Sequence, residues 1–181
     1  MGVNARTYVA AAILTILVAA IATAGAASED YAAYLDDLYR DTVPVIHPSE
    51  VGAFLEDNPG ALVIDVRSEP ERTISYIDGS QFHDFDTFDT ETFRSLPRDT
   101  PILAYCAVGY RSERVGERLL ELGFTNVFHI YGGIIEWHNQ GLPLEPGVIP
   151  AEDDRPAVHG YLPRWGKYVV DGNVVYDPPV R

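Results

Sequence analysis

The stretch 101–112, PILAYCAVGYRS, joins a predicted strand, a tight loop and the start of a predicted helix. Its apolar run 102–105 has the length of a buried strand. Helical spacing after the loop places four apolar residues on one face, with Gly123 as the C-cap: Val115, Leu119, Leu120 and Leu122. Cys106, the only cysteine in the chain, falls at the strand end. Backbone amides and the helix dipole favour negative charge there, so they favour a thiolate.

A lone cysteine can also be a small buried apolar residue, but the loop that follows favours a reactive thiol. Gly109 permits a sharp backbone turn, and Arg111 supplies a permanent cation with fixed donors. We therefore take Cys106 and Arg111 as candidate catalytic residues. The residues between them form the candidate substrate-binding loop: Ala107, Val108, Gly109 and Tyr110.

The pattern Cys-x-x-Gly-x-Arg between a strand and a helix resembles the active loop of rhodanese-family sulfurtransferases. Other stretches are similar to family motifs in the same order: LVIDVR at 62–67, YIDGS at 76–80, YGGIIEW at 131–137 and GLP at 141–143. The resemblance covers roughly residues 43–145. It departs from the family at 75–80, where Ser75-Tyr76 replaces Gly-His and Asp78 replaces proline.

The resemblance implies a double displacement through Cys106. Its thiolate would take the outer sulfur of a donor such as thiosulfate, and the resulting persulfide would pass that sulfur to a thiol or cyanide. Arg111 would hold the loop or attract the anionic donor, and Asp65 would support the loop or its arginine. Asp65 and Arg67 are also consistent with a simple surface ion pair. This chemistry requires no cofactor and no metal, so we expect neither.

The length of the loop separates two chemistries. Thiol phosphatases and arsenate reductases carry five residues between cysteine and arginine, enough to surround a tetrahedral oxyanion. Cys106 and Arg111 have four between them, which suits an added sulfur atom better. Two further interpretations stay open: a non-catalytic rhodanese-like binding module, and a redox or persulfide sensor that uses the same thiol.

Apolar runs that alternate with helical patterns predict an α/β fold, with a parallel sheet flanked by helices over 43–145. Cys106 and Asp65 both lie at carboxyl ends of predicted strands, where ligands bind in such sheets. An N-terminal helix is predicted over 27–42, with Ser28 as its N-cap. The acidic run 81–100 lacks the pattern of a calcium loop, and the histidines lack metal-ligand spacing, so no metal site is predicted.

Residues 146–181 read as a proline-rich linker and a C-terminal hairpin extension. Two apolar runs, 167–170 and 173–176, flank Asp171-Gly172, a pair that favours a type I′ turn. Such a hairpin could cover a sheet edge, close over the active site or bind a protein partner.

The first 26 residues predict export. Arg6 precedes the apolar run 8–24, and small residues follow, as in a cleavable signal peptide. We therefore expect a periplasmic or extracellular protein; the alternative is an uncleaved transmembrane anchor, the one case that would make the membrane a partner. The formal net charge of −14 argues against nucleic acid and anionic lipid surfaces as partners.

Overall fold

The computed structural model describes residues 28–148 and 155–176, so the predicted signal peptide or anchor at 1–26 lies outside the described residues. Within those two ranges, no helix is both long enough and apolar enough to cross a membrane. Residues 28–42 of the predicted N-terminal helix, the region 43–145 and most of the predicted extension are described.

A parallel five-stranded sheet lies at the centre of the fold. Its strands are β1 (Val45–Ile46), β2 (Leu62–Asp65), β4 (Gln81–Phe82), β5 (Ile102–Tyr105) and β6 (Val127–Ile130), in the spatial order β1-β6-β5-β2-β4. Two small sheets accompany it: β3 (Ser75–Tyr76) with β7 (Glu145–Pro146), antiparallel, and β8 (Ala157–His159) with β9 (Asn173–Val175), parallel.

The helices are α1 (Glu29–Leu38), α2 (Val51–Asp57), α3 (Glu69–Arg72), α4 (Tyr110–Glu121), α5 (Gly133–Asn139) and α6 (Pro163–Gly166). Short 3-10 turns cover Pro48–Glu50 and Thr90–Phe93. This architecture confirms the predicted α/β class with a parallel sheet flanked by helices.

The central strand β5 is buried on both faces. Leu103 and Tyr105 belong to one apolar cluster, whereas Ile102 and Ala104 belong to a second. Because successive side chains of a strand point to opposite faces, a strand covered on both sides must be apolar throughout. This explains the unbroken apolar run at 102–105.

Helix α1 begins as predicted. The Ser28 hydroxyl accepts a hydrogen bond from the Tyr31 backbone N–H at 3.3 Å. Tyr31 and Leu35 are fully buried in the same cluster as β5. The Tyr31 hydroxyl also donates to the Gly132 carbonyl at 2.8 Å, so α1 is attached to the turn before α5.

The predicted C-terminal hairpin is wrong. Residues 167–170 form no strand, and β9 pairs in parallel with β8 rather than folding back across Asp171-Gly172. Asn139 of α5 accounts for the difference: its side chain donates to the Tyr168 carbonyl and accepts from the Val170 N–H, both at 2.9 Å. These bonds occupy backbone groups that a hairpin ladder would have used, and Tyr168 stacks on Tyr31 with ring centroids 4.5 Å apart.

The segment after the linker shares the core of the sheet domain. Val158 and Trp165 lie in the buried cluster that contains Leu103 and Tyr105. The Ser75 hydroxyl donates to the Ala157 carbonyl at 2.7 Å, a contact that is itself buried. Residues 157–168 therefore add apolar burial to the sheet domain.

The start of α5 lies directly against the loop after β5. The Ile134 and Ile135 N–H groups donate to the Cys106 and Ala107 carbonyls at 2.9 and 3.2 Å. Gly133 has φ of 59°, and a Cβ there would lie 2.4 Å from the Cys106 carbonyl oxygen. Only glycine lets the helix approach the loop this closely.

We predict that Gly133→Ala lowers the free energy of unfolding by about 3 kcal/mol, because it adds a steric clash to an unfavourable backbone conformation. Gly79→Ala is the matched control: Gly79 has φ of 70°, and no atom lies within 4 Å of the position that a Cβ would take there. The control should cost about 1 kcal/mol, from backbone strain alone. Equal losses in urea unfolding would contradict the close approach.

A second prediction concerns His129 of β6. Burial lowers its pKa to about 4. The unfolded chain therefore takes up a proton near pH 6.5 that the folded chain refuses, and stability falls as the pH drops from 6.5 towards 4. Between pH 7 and pH 5 this residue alone should cost about 2 kcal/mol.

Replacing it in His129→Asn should reduce that pH dependence, measured by urea unfolding at the two pH values. The slope will not vanish, because partial burial also lowers the pKa of His83. An unchanged difference between pH 7 and pH 5 in His129→Asn would show that His129 is not the group responsible.

Candidate active site

Cys106 lies at the carboxyl end of β5, at the start of the loop that leads into α4. Cys106 is fully buried, and the Gly109 N–H donates to its Sγ at 3.2 Å. Gly109 has φ of 95°, and a Cβ there would lie 2.1 Å from the Tyr39 hydroxyl. The turn that brings the amide to the sulfur therefore requires glycine.

The carbonyls from Cys106 to Gly109 all have hydrogen-bond partners. Those of Cys106 and Ala107 accept from the start of α5, and that of Val108 accepts from the Tyr39 hydroxyl at 2.7 Å. The Gly109 carbonyl accepts from the Glu113 N–H at 3.0 Å and the Ser112 hydroxyl at 2.9 Å. These carbonyls are occupied by other donors, while the first amides of α4, which have no partner inside the helix, favour an anion at Cys106.

Arg111 is held by Glu71, a residue that the sequence interpretation missed. Its two terminal nitrogens donate to the two carboxylate oxygens of Glu71, each at 2.7 Å. Both side chains are buried, with 7% and 0% of their surface exposed. A bidentate pair of this kind fixes the orientation of the arginine as well as its charge.

The pair has a consistent effect on both groups. Burial alone would raise the pKa of Glu71, but the hydrogen bonds and charge of Arg111 outweigh it and hold that pKa below its usual value. Burial alone would lower the pKa of Arg111, yet the bonds to Glu71 raise it. Both side chains are therefore charged at neutral pH, and their charges offset each other beside the loop.

Asp65 supports the site by an indirect route. It forms a buried ion pair with Arg67, at 2.7 Å, rather than the surface pair that the sequence also allowed. It also accepts from Arg72 at 3.0 Å and from the Tyr105 hydroxyl at 2.9 Å. These bonds lead to β5 and α3 rather than directly to Arg111.

Arg67 connects this ion pair to the segment that carries Glu71. It donates to the Ser75 carbonyl at 2.7 Å and the Glu71 carbonyl at 3.4 Å. Burial would raise the pKa of Asp65, but Arg67 more than compensates and lowers it. The Asp65–Arg67 pair thus anchors α3, and α3 presents Glu71 to Arg111.

The sequence does carry a signal for Glu71. Ser68-Glu69-Pro70-Glu71 has the spacing of a capping box, in which the glutamate returns to the first residue of the helix. The Glu71 carboxylate accepts from the Ser68 N–H at 3.0 Å and from its hydroxyl at 2.9 Å. Nothing in the local pattern of Tyr39 indicated its place beside the loop, because that contact joins positions 69 residues apart.

The loop side chains differ in their surroundings. Ala107 and Val108 are fully buried in the apolar core, so their side chains face away from any substrate. Tyr110 is exposed, and Tyr161 from the C-terminal segment places its ring 4.2 Å from the guanidinium carbon of Arg111. Across the described residues, no group of three His, Cys, Asp or Glu side chains is arranged to hold a metal ion.

Comparisons with known proteins agree with this geometry. The model of the rhodanese-like domain family matches residues 47–140, which include α3, the Cys106 loop and α5. A tRNA uridine(34) hydroxylase from Pectobacterium carotovorum is 31% identical over 119 residues, covering 56% of this chain and 34% of that protein. The chain thus matches about a third of the length of that curated relative.

Solved structures show the same fold. The rhodanese-like domain of an Anabaena protein superposes with a TM-score of 0.52 at 23% identity, covering 61% of this chain and 87% of that one. A thiosulfate sulfurtransferase from Pseudomonas aeruginosa superposes with a TM-score of 0.54 at 23% identity, covering 65% of this chain and 23% of that one. With a cysteine loop of this form inside the matched region, the chain belongs to the rhodanese-like domain family, whose domain supports sulfurtransferase-type chemistry.

Proposed function

We propose that the protein is a sulfurtransferase that carries a sulfane sulfur on Cys106. The observation that supports this most strongly is the hydrogen bonding of the loop. Its carbonyls are occupied by other donors, while the Gly109 amide and the Ser112 hydroxyl donate to Sγ at 3.2 and 3.8 Å. Donors of this kind stabilise an anionic sulfur and would stabilise the terminal sulfur of a persulfide in the same way.

The reaction takes place in two balanced steps. The Cys106 thiolate attacks the outer sulfur of thiosulfate, a new S–S bond forms, and sulfite leaves with the electron pair of the bond that breaks. An acceptor thiolate or cyanide then attacks the outer sulfur of the persulfide. It takes that sulfur away and regenerates the Cys106 thiolate.

Arg111 acts chiefly by holding the loop. Its charge is offset by Glu71, so it offers an anionic donor much less attraction than an unpaired arginine would. Its Nε is buried and has no hydrogen-bond partner among the described residues. The bidentate pair fixes the start of α4, and the position of α4 fixes the amides that face Cys106.

The name of the Pectobacterium relative raises tRNA modification as a second function. The match to it covers 56% of this chain and 34% of that protein. The formal net charge of −14 opposes binding to the phosphate backbone of a tRNA. We therefore propose a small sulfur donor and a small acceptor rather than a nucleic acid. A non-catalytic module would leave the arrangement of the loop around the thiol unexplained.

We predict that the wild-type protein gains about 32 Da, the mass of one sulfur atom, when it is incubated with thiosulfate. The gain should be reversed by a reducing thiol and detected by intact-mass spectrometry. Cys106→Ser should gain nothing and lose sulfur transfer to cyanide, because a hydroxyl cannot hold a persulfide. Its thermal unfolding should stay close to that of the wild type, since the two side chains are nearly equal in size.

The control for non-specific sulfur uptake is the same Cys106→Ser protein, which contains no thiol because Cys106 is the single cysteine of the chain. Sulfur transfer at the wild-type rate in Cys106→Ser would contradict the proposal. A wild-type protein that takes up no sulfur from thiosulfate or from an organic persulfide would favour the binding-module alternative.

A further inference from the structure

The peptide unit between Val108 and Gly109 lies in the middle of the cysteine loop and has a partner at each end. Its N–H, on Gly109, donates to Cys106 Sγ at 3.2 Å. Its carbonyl, on Val108, accepts from the Tyr39 hydroxyl at 2.7 Å. The C=O and N–H of a trans peptide point in opposite directions, and no peptide bond of the described residues is cis. Tyr39 and the thiol therefore hold one rigid plane from its two ends.

The glycine at 109 gives this peptide unit the freedom to turn over. Gly109 has φ of 95°, and glycine adopts positive and negative φ about equally readily. A peptide turned over would direct the Val108 carbonyl, rather than an N–H group, towards Cys106. A carbonyl oxygen carries partial negative charge and repels a thiolate. The orientation of this one unit therefore decides whether it favours or opposes the anion.

The hydrogen bonds of the Tyr39 hydroxyl fix the direction of its proton. The hydroxyl accepts from the Gly132 N–H at 2.9 Å, which leaves its own proton for the Val108 carbonyl. Burial raises the pKa of Tyr39 well above its ordinary value, although the bond from Gly132 opposes this effect. The proton that holds the carbonyl therefore stays on the hydroxyl at neutral pH.

The ring of Tyr39 is itself held on several sides. Tyr39 is the C-cap of α1, and its N–H donates to the Leu35 carbonyl at 3.0 Å. Its ring meets those of His129 and Tyr131 edge-on, with centroids 5.0 and 6.1 Å apart. A Cβ at Gly109 would lie only 2.1 Å from its hydroxyl oxygen. The hydroxyl is therefore fixed directly against the loop.

We propose that Tyr39 is a positioning residue for the reaction: its hydroxyl locks the 108–109 peptide so that the Gly109 N–H faces the sulfur of Cys106. This inference rests on the proposed sulfurtransferase function. Tyr39 acts through the peptide unit and takes no part in making or breaking bonds. It lies outside residues 47–140, so a side chain from the helix before the matched family region completes the loop.

A pH titration of the wild-type protein tests the hydrogen bond without any sulfur transfer. Cys106 is the only cysteine, so isotope labelling at the cysteine Cβ gives a single NMR signal whose shift follows ionisation of the thiol. Because the Gly109 N–H donates to that sulfur, its amide proton signal should move with the same midpoint. A Gly109 amide that does not respond to the titration would overturn the proposal before any variant is made.

The variant Tyr39→Phe keeps the ring and removes only the hydroxyl. The Val108 carbonyl then loses this donor, and the peptide unit is released to turn over. The midpoint of the Cys106 titration should rise by about one pH unit, because a hydrogen bond to the ionised sulfur is lost. The Gly109 amide signal should no longer follow that titration. An unchanged midpoint would contradict the proposal.

Two other tyrosines of α1 supply matched controls. Tyr31→Phe removes the hydroxyl that donates to the Gly132 carbonyl at 2.8 Å, so it disturbs the turn before α5 but leaves Tyr39 in place. Tyr34→Phe removes the acceptor of the Trp165 indole N–H, in a contact that does not include the 108–109 peptide. Both variants should lose stability without moving the midpoint. An equal rise in Tyr31→Phe would show that Tyr39 acts by holding the turn, and would overturn the proposal.

The rate of sulfur uptake from thiosulfate then connects the peptide to the reaction. Below both midpoints, Tyr39→Phe should load sulfur about threefold more slowly than the wild type, since a tenfold loss of thiolate is partly offset by the greater nucleophilicity of a more basic sulfur. Above both midpoints the deficit should disappear. A deficit of the same size at every pH would indicate a general loss of structure and overturn the positioning role. A wild-type protein that takes up no sulfur ends the proposed function, while the NMR titrations still decide the role of Tyr39.

Discussion

The buried ion pair between Arg111 and Glu71 is the constraint on which the site depends. Both charges are removed from water, so each requires the other: losing one partner of such a pair typically costs about 3–5 kcal/mol. The pair joins the first turn of α4 to α3, and its two residues are 40 positions apart in the chain. It therefore fixes the end of the loop that carries Cys106, while the start of the loop is fixed by β5.

The remaining parts of the fold hold the loop from other directions. Helix α5 binds its first two carbonyls, and the Tyr39 hydroxyl joins the Val108 carbonyl to the Gly132 amide. The Asp65–Arg67 pair anchors α3, and the Tyr161 ring covers the guanidinium of Arg111. Contacts from both ends of the described chain thus converge on one short loop, which explains how a fully buried thiol is kept in a single orientation.

Much of this arrangement could be predicted from local sequence. The apolar run before Cys106, the glycine and arginine after it, and Ser28 at the start of α1 each act within a few residues, where strand length, turn geometry and capping decide the outcome. The capping-box spacing with Ser68 could have indicated a structural role for Glu71. Its ion pair with Arg111 could not be predicted, because that contact depends on how distant elements pack.

The C-terminal segment shows the limit of local patterns more clearly. Asp171-Gly172 between two apolar runs favours a hairpin, yet Asn139 and Tyr31 capture residues 168–170 through contacts that span more than a hundred residues in the case of Tyr31. Tertiary hydrogen bonds and ring stacking outweighed turn propensity there. The same packing brings Tyr161 over Arg111, a placement that no motif in 155–176 indicates.

Arg111 thus acts through its ion pair with Glu71, which shapes the loop. A single rate measurement distinguishes this role from attraction of the anionic donor. That rate is the single-turnover uptake of sulfur from thiosulfate by Glu71→Gln. If the pair shapes the loop, the variant should load sulfur at least about tenfold more slowly, although it frees the charge of Arg111 for the donor. Loading at the wild-type rate or faster would show that Arg111 acts by attracting the anion, and would contradict a role in shaping the loop.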